Sequence, residues 1–275
     1  MLAIFERYER ERLPKKAKAT QDGQRRQLSN LKATFGHMEP HKVRPAHIAA
    51  FHDALGQTAP VSANRHLALL SDVFKFALRI GAVDLNPCRG LGRREERPRD
   101  RYVTDDELAE LLPHAPAWLQ DFMSMEHLTG QRESNLIRLQ VTDLRDDGIP
   151  FPPQKRGRPV LIEWLEALTA VVDRAKARRA SFSDRKVVPL NLLLNERGDP
   201  ITVSGLQSAF RRLWARYAAH CEGKAIISPV PRFTLHDLRA KAGSDTGNER
   251  MLGHKNVSTF RRIYDRKPVR AKPSK

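Results

Sequence analysis

Six side chains in the second half of the chain have types and spacing that suit chemistry on an anion. "TGQRESNL" sets Arg132 at or just before the first turn of an amphipathic helix. A helix N-terminus already carries partial positive charge, so a cation there gains nothing from the dipole and waits for some other anion. "LHDLR" places His236 and Arg239 three residues apart, on one face of a helix. "LGHKN" adds His254 behind a glycine, and ten residues later Tyr264 stands among Arg261, Arg262, Arg266 and Lys267. Lys155 lies in "PPQKRG", a turn between two short strands, with Lys186 as the alternative lysine of the interval. The set holds two arginines, two histidines, a lysine and a tyrosine, without paired carboxylates. It cannot hold Mg²⁺ or Ca²⁺, which take oxygen ligands, and neither a metal nor a cofactor is expected. It suits an anion that gains negative charge as it reacts, as in phosphoryl transfer.

Composition narrows the substrate. The chain has 275 residues and a formal net charge of +17, from 49 Lys and Arg against 32 Asp and Glu. Basic residues spread along the whole length fit an extended polyanion better than one small ligand. With 40% hydrophobic residues the chain can bury a sizeable core. No apolar run approaches the roughly 18 residues of a membrane span. The start, "MLAIFERYERERLP", becomes charged too early for a secretory signal. Cys88 and Cys221 are the only cysteines, which argues against a disulfide framework or a structural zinc site and fits a reducing, intracellular setting.

The elements that must position these residues fall into two groups. Before residue 90 the spacing predicts four helices: 2–12, 24–36, 45–55 opened by Pro45, and a long one from Ser62 as cap to Gly81 as stop. The last has Leu67, Leu70, Phe74, Ala77 and Leu78 on one stripe. Asn64, Arg65, Lys75 and Arg79 supply polar and positive positions around it, and are the candidate DNA-facing residues against the alternative of a solvated face. Residues 91–101, dense in charge with Gly and Pro, read as a linker. Next comes "TDDEL", a capping box of Thr104 and Glu107. Helices follow near 116–127 and 131–139, two short strands between 141 and 164, and helices near 163–178 and 204–219. The expected architecture is mainly α with a small β-sheet: a helical domain over 1–90, a linker over 91–101, and a mixed α/β domain over 102–275.

"TGQRESNL", "HDLR", "LGH" and Tyr264, in that order with a lysine on an intervening strand turn, resemble the tyrosine recombinases, specifically the phage-type integrases. The helical first half is similar to the core-binding domain of these enzymes, so the resemblance covers nearly the whole chain. It implies a site-specific recombinase that cuts and rejoins DNA through a 3′-phosphotyrosine, with a catalytically silent DNA-binding relative or a resolvase or transposon-type recombinase as alternatives. Arg132 and Arg239 would clamp the scissile phosphate as planar forks. Tyr264 would be the nucleophile, Lys155 would protonate the departing 5′ oxygen, and His236 would assist proton transfer or hold the phosphate. His254 would hydrogen-bond the phosphate or orient the tyrosine. The implied partners are double-stranded DNA bearing two recombination sites, further copies of the chain in a homotetramer, and accessory bending or directionality proteins, in the cytoplasm near the nucleoid and at no membrane. Two departures from the family are visible. Only 14 residues separate Arg239 from His254, a shorter interval than the family has there. The sequence as given opens at the expected core-binding helices, where many phage integrases carry an arm-binding domain ahead of them.

Overall fold

A computed structural model of the chain describes residues 1–97, 99–153, 158–253 and 257–267. Its contacts fall into two compact units, Met1–Arg97 and Pro98–Lys275. The described residues are mainly helical with one two-stranded sheet, as the periodicity predicts.

The first unit contains α1 (Leu2–Glu11), α2 (Lys18–Phe35), α3 (Pro45–Thr58) and α4 (Pro60–Arg79). Each helix turns an apolar stripe inward. Phe5 and Tyr8, Leu28, Leu31 and Phe35, Ile48, and Leu70, Val73 and Phe74 are all buried at 1% exposure or less. Burial of each such side chain is worth roughly 1.5–3 kcal/mol, which is what holds four amphipathic helices together. Pro45 and Pro60 open α3 and α4, where a missing N–H costs nothing. Pro60 therefore starts α4 two residues before Ser62, which is not its cap. Leu78, expected on the inner stripe, is 37% exposed.

The chain that leaves α4 stays attached to this unit. Asn86 donates to the Ser71 carbonyl at 3.2 Å, and Cys88 joins the core. Further along, the Asn64 amide pairs with the Arg94 backbone in both directions, accepting from its N–H at 2.9 Å and donating to its carbonyl at 2.8 Å. The Arg94 side chain reaches Asp53 at 2.8 Å across Gly56, where any Cβ would lie 2.0 Å from Arg94 Nε. Half of the segment expected to be a free linker is thus pinned by α3 and α4.

The second unit opens with α5 (Asp105–Leu111). Its capping box closes as expected: Glu107 N–H donates to Thr104 Oγ1 at 3.2 Å, and Thr104 N–H to Glu107 Oε2 at 2.8 Å. Next come α6 (Ala117–Thr129) and α7 (Glu133–Arg138), then strands β1 (Ile149–Phe151) and β2 (Val160–Ile162), antiparallel with Ile149 opposite Ile162. Helices α8 (Glu166–Ala180), α9 (Val203–Gly223), α10 (Leu235–Thr246) and α11 (Val257–Ile263) complete it. Helix α6 packs against α8, α9 and α10. Its Phe122, Met123 and Met125 share one core cluster with Val171 and Val172 of α8, Leu213 and Trp214 of α9, and Leu238 of α10. The short α11 rests on a separate small cluster of Ala240, Leu252, Phe260 and Tyr264. No helix among the described residues is long and apolar enough to cross a membrane.

Candidate active site

The site grows from the end of α6. Gly130 terminates that helix in the left-handed region at φ +61, and a Cβ there would lie 2.6 Å from Leu252 Cδ2, so glycine suits both the turn and the space. The turn delivers Arg132, half-buried, to the N-cap of α7. Gln131, beside it, donates to the Met251 carbonyl at 3.1 Å and so ties the turn to the segment after α10.

Helix α10 supplies His236 and Arg239 from one face. Arg239 has no exposed surface. Its guanidinium is anchored on the Gly130 carbonyl and, at 2.8 Å, on the Leu252 carbonyl, both of which end turns. Its Cζ lies 5.4 Å from the centre of the Tyr264 ring. Burial weighs against its charge and Arg132 adds repulsion, while Tyr264 and Glu126 favour it, with a net lowering from the usual arginine value. The imidazole of His236 meets the Tyr264 ring edge-on, with centroids 5.6 Å apart. Withdrawal from water lowers the pKa of His236, the positive charges of Arg239, Arg266 and Arg132 lower it further, and Asp237 opposes them. At neutral pH the ring is therefore biased to the neutral form, able to accept a proton.

Tyr264 follows α11 directly and is 5% exposed. Of the six residues singled out, Tyr264 meets both His236 and Arg239, and Arg132 is close enough to act on the charge of the latter two. Lys155 and His254 lie outside the described residues. Their chain neighbours meet, since Arg158 N–H donates to the Gly253 carbonyl at 3.2 Å. Lys186 is exposed in the segment after α8.

Among the candidate DNA-facing residues of α4, Arg65, Lys75 and Arg79 are exposed. Asn64 is a correction. It is 4% exposed, and its amide is engaged by His52, Arg94 and Glu96, because the returning chain covers that face of the helix. Spacing along α4 could not show this, since the covering residue is 30 positions away.

Residues beyond the six also shape the site. Asp237, inside "HDLR", is buried and pairs with Arg266 at 2.6 Å. Glu126, on the last turn of α6, is buried with its carboxyl group near enough to feel the charges of Glu133, Arg239 and Asp237. The one trio of potential metal ligands among the described residues is Asp105, His127 and Asp245, within 4.8 Å of one another. The ammonium of the fully buried Lys241 side chain sits between two of them, 2.6 Å from Asp105 and 3.0 Å from Asp245, and supplies the positive charge they require.

No family model matches the chain. Among curated proteins it is 25% identical over 210 residues to the integrase of Escherichia phage HK022, a match covering 71% of this chain and 56% of that protein. It is 28% identical over 210 residues to the tyrosine recombinase XerC of Pelotomaculum thermopropionicum, covering 71% of this chain and 67% of the other. The chain thus spans about half the length of the phage integrases it matches. Among solved structures, a lambda integrase dimer bound to a COC′ core site superposes with a TM-score of 0.80 at 20% identity, over 99% of this chain and 79% of that one. The Tn1549 transposon integrase in complex with transposon right end DNA gives 0.78 at 17% identity, over 98% and 95%. The fold is therefore that of the integrases. The chain is thus similar to tyrosine recombinases, phage integrases and XerC proteins alike.

Proposed function

We propose that the chain is a site-specific DNA recombinase that cuts and rejoins duplex DNA through a 3′-phosphotyrosine. The observation that carries this reading is the contact of the buried Tyr264 ring with both the buried Arg239 and the exposed His236, two anion- and proton-handling groups against one phenol. In the proposed step the Tyr264 oxygen attacks phosphorus, the bond to the 5′ oxygen breaks, and the new bond joins phosphorus to the phenol oxygen. The phenol proton passes to a base, for which the neutral His236 is the available group among the described residues. The departing 5′ oxygen takes its proton from Lys155, as the family resemblance implies. Arg239, held by two carbonyls, and Arg132 meet the charge that develops on the phosphate. The bond energy stays in the phosphotyrosine, so rejoining runs as the reverse reaction.

The same reading assigns the substrate and assembly. An open groove of about 370 Å³ beside His236 carries Arg99, Arg211 and Arg232, a basic surface suited to a phosphate backbone. The exposed Arg65, Lys75 and Arg79 offer a second one on the first unit. One solved relative is a lambda integrase tetramer bound to a Holliday junction. A homotetramer exchanging strands between two sites is the corresponding assembly here, with accessory bending or directionality proteins, in the bacterial cytoplasm at the nucleoid.

Tyr264→Phe tests the reading, because it removes the attacking oxygen and keeps the ring that packs on Ala240, Leu252 and Phe260. On a nicked duplex the variant is expected to form no covalent adduct while its gel-shift affinity stays close to wild type. Adduct persisting in Tyr264→Phe assigns the nucleophile to another residue. A wild-type chain that binds duplex and never forms adduct is a DNA-binding relative without strand-cutting activity.

A further inference from the structure

Seven residues of α11 and a small apolar cluster are a slight foundation for a residue that must meet phosphorus at bonding distance. The polar contacts just beyond Tyr264 add the missing rigidity, and they come from α10. Ser244 Oγ donates to the Tyr264 carbonyl and accepts the Arg266 N–H at 2.8 Å, so one buried hydroxyl brackets the peptide units on both sides of Asp265. Arg266 then turns inward. Its Nη1 donates to Asp237 Oδ1 at 2.6 Å and to the Arg101 carbonyl at 3.1 Å, and its Nε to the Ile263 carbonyl at 2.8 Å. Both side chains of this ion pair are nearly inaccessible, at 4% and 1%.

Asp237 is itself fixed. Its Oδ2 accepts the Thr234 N–H at 2.8 Å and the Thr234 hydroxyl at 2.7 Å, forming the capping box that starts α10. The same oxygen lies 3.4 Å from Arg99 Nη1. Oδ1 serves the segment that leaves Tyr264, and Oδ2 serves the start of the helix that carries His236 and Arg239. A buried, fully hydrogen-bonded ion pair does more for fixing one geometry than for raw stability.

We infer that Asp237, Arg266 and Ser244 are positioning residues for Tyr264, a clasp that references the nucleophile to the helix bearing His236 and Arg239. The inference rests on the recombinase reading for its purpose, but the clasp can be measured without DNA.

The experiment nitrates the full-length chain with tetranitromethane and maps modified tyrosines by mass spectrometry. The chain has four tyrosines, and the buried Tyr8 and Tyr217 serve as internal gauges of the rest of the fold. Ser244→Ala, Asp237→Asn and Arg266→Met are each expected to raise nitration of Tyr264 by about tenfold through local opening, with Tyr8 and Tyr217 unchanged. Arg266→Lys, which keeps the charge, is expected to restore protection to within a few-fold. On nicked duplex the first three variants should attach covalently at about one hundredth of the wild-type single-turnover rate with unchanged DNA affinity, the penalty of a nucleophile misplaced by about 1 Å. Unchanged Tyr264 nitration in all three variants overturns the clasp. So does a rise at Tyr8 and Tyr217 that matches the rise at Tyr264, which reports general loosening. If the nitration pattern appears as expected but wild type forms no adduct, the recombinase reading falls and the clasp stands.

Discussion

Glu126 is the residue in the second unit with the least comfortable surroundings. It is 1% exposed, and its Oε2 has no hydrogen-bond partner among the described residues. Burial drives its pKa well above the usual carboxylate range, Glu133 and Asp237 push the same way, and Arg239 opposes them. The folded chain therefore keeps a proton there over a pH range in which the unfolded chain has released it. Stability linked to this group is fully present below about pH 4.5 and is lost progressively as pH rises toward the folded-state pKa. Glu126→Gln keeps the shape and cannot ionise. Its melting temperature is expected to gain on wild type between pH 5 and pH 8; melting curves that shift in parallel across that range would show that Glu126 does not titrate there. The neutral form also suits the neighbourhood, since a buried carboxylate would cancel part of the positive charge that Arg239 is proposed to offer a phosphate.

Among elements, α4 shows where local pattern suffices and where it stops. Asn64 replaces a missing strand partner by pairing its amide with the Arg94 backbone. Removing that amide leaves a backbone donor and acceptor without their partner, a cost of about 1–3 kcal/mol if they stay buried. Asn64→Ala should therefore release the chain there, and limited trypsin digestion should cut after Arg93 or Arg94 several-fold faster than in wild type, with α4 itself intact. Equal rates would mean that Asp53 and Gly56 suffice to hold Arg94. This contact was not legible in the sequence, because it joins residues 30 apart and carries no periodicity. The Thr104–Glu107 box was legible, since both of its bonds span three residues. The start of α4 was misplaced because Ser62 is a good cap by type, while Pro60 begins the helix earlier. In the candidate site, Arg132, His236, Arg239 and Tyr264 could be picked out by motif order and residue type. Asp237 and Arg266 could not, for their pairing spans 29 residues and only the Thr234–Asp237 box leaves a local trace.

For the whole molecule the governing quantity is charge. A net +17 over 275 residues implies that binding to a duplex displaces many condensed counterions. If six or more phosphates are neutralised, affinity should fall by roughly 10³-fold or more between 50 and 200 mM salt. A flat salt dependence in a titration of duplex with the full chain would remove the basic surfaces of α4 and the His236 groove from the binding account. On the proposed reading, the two units act on this quantity together through the chain that joins them. Among the described residues, Asn64 holds Glu96 at 2.8 Å on the first unit, and Arg99 of the second unit lies 3.4 Å from Asp237. Three Cα steps separate Glu96 from Arg99, roughly 10 Å at full stretch. If both units grip DNA as proposed, so short a tether confines the second, once the first has settled, to a volume in which its effective concentration is on the order of millimolar. Two modest grips would then act as one strong one, and would let go together when salt weakens either.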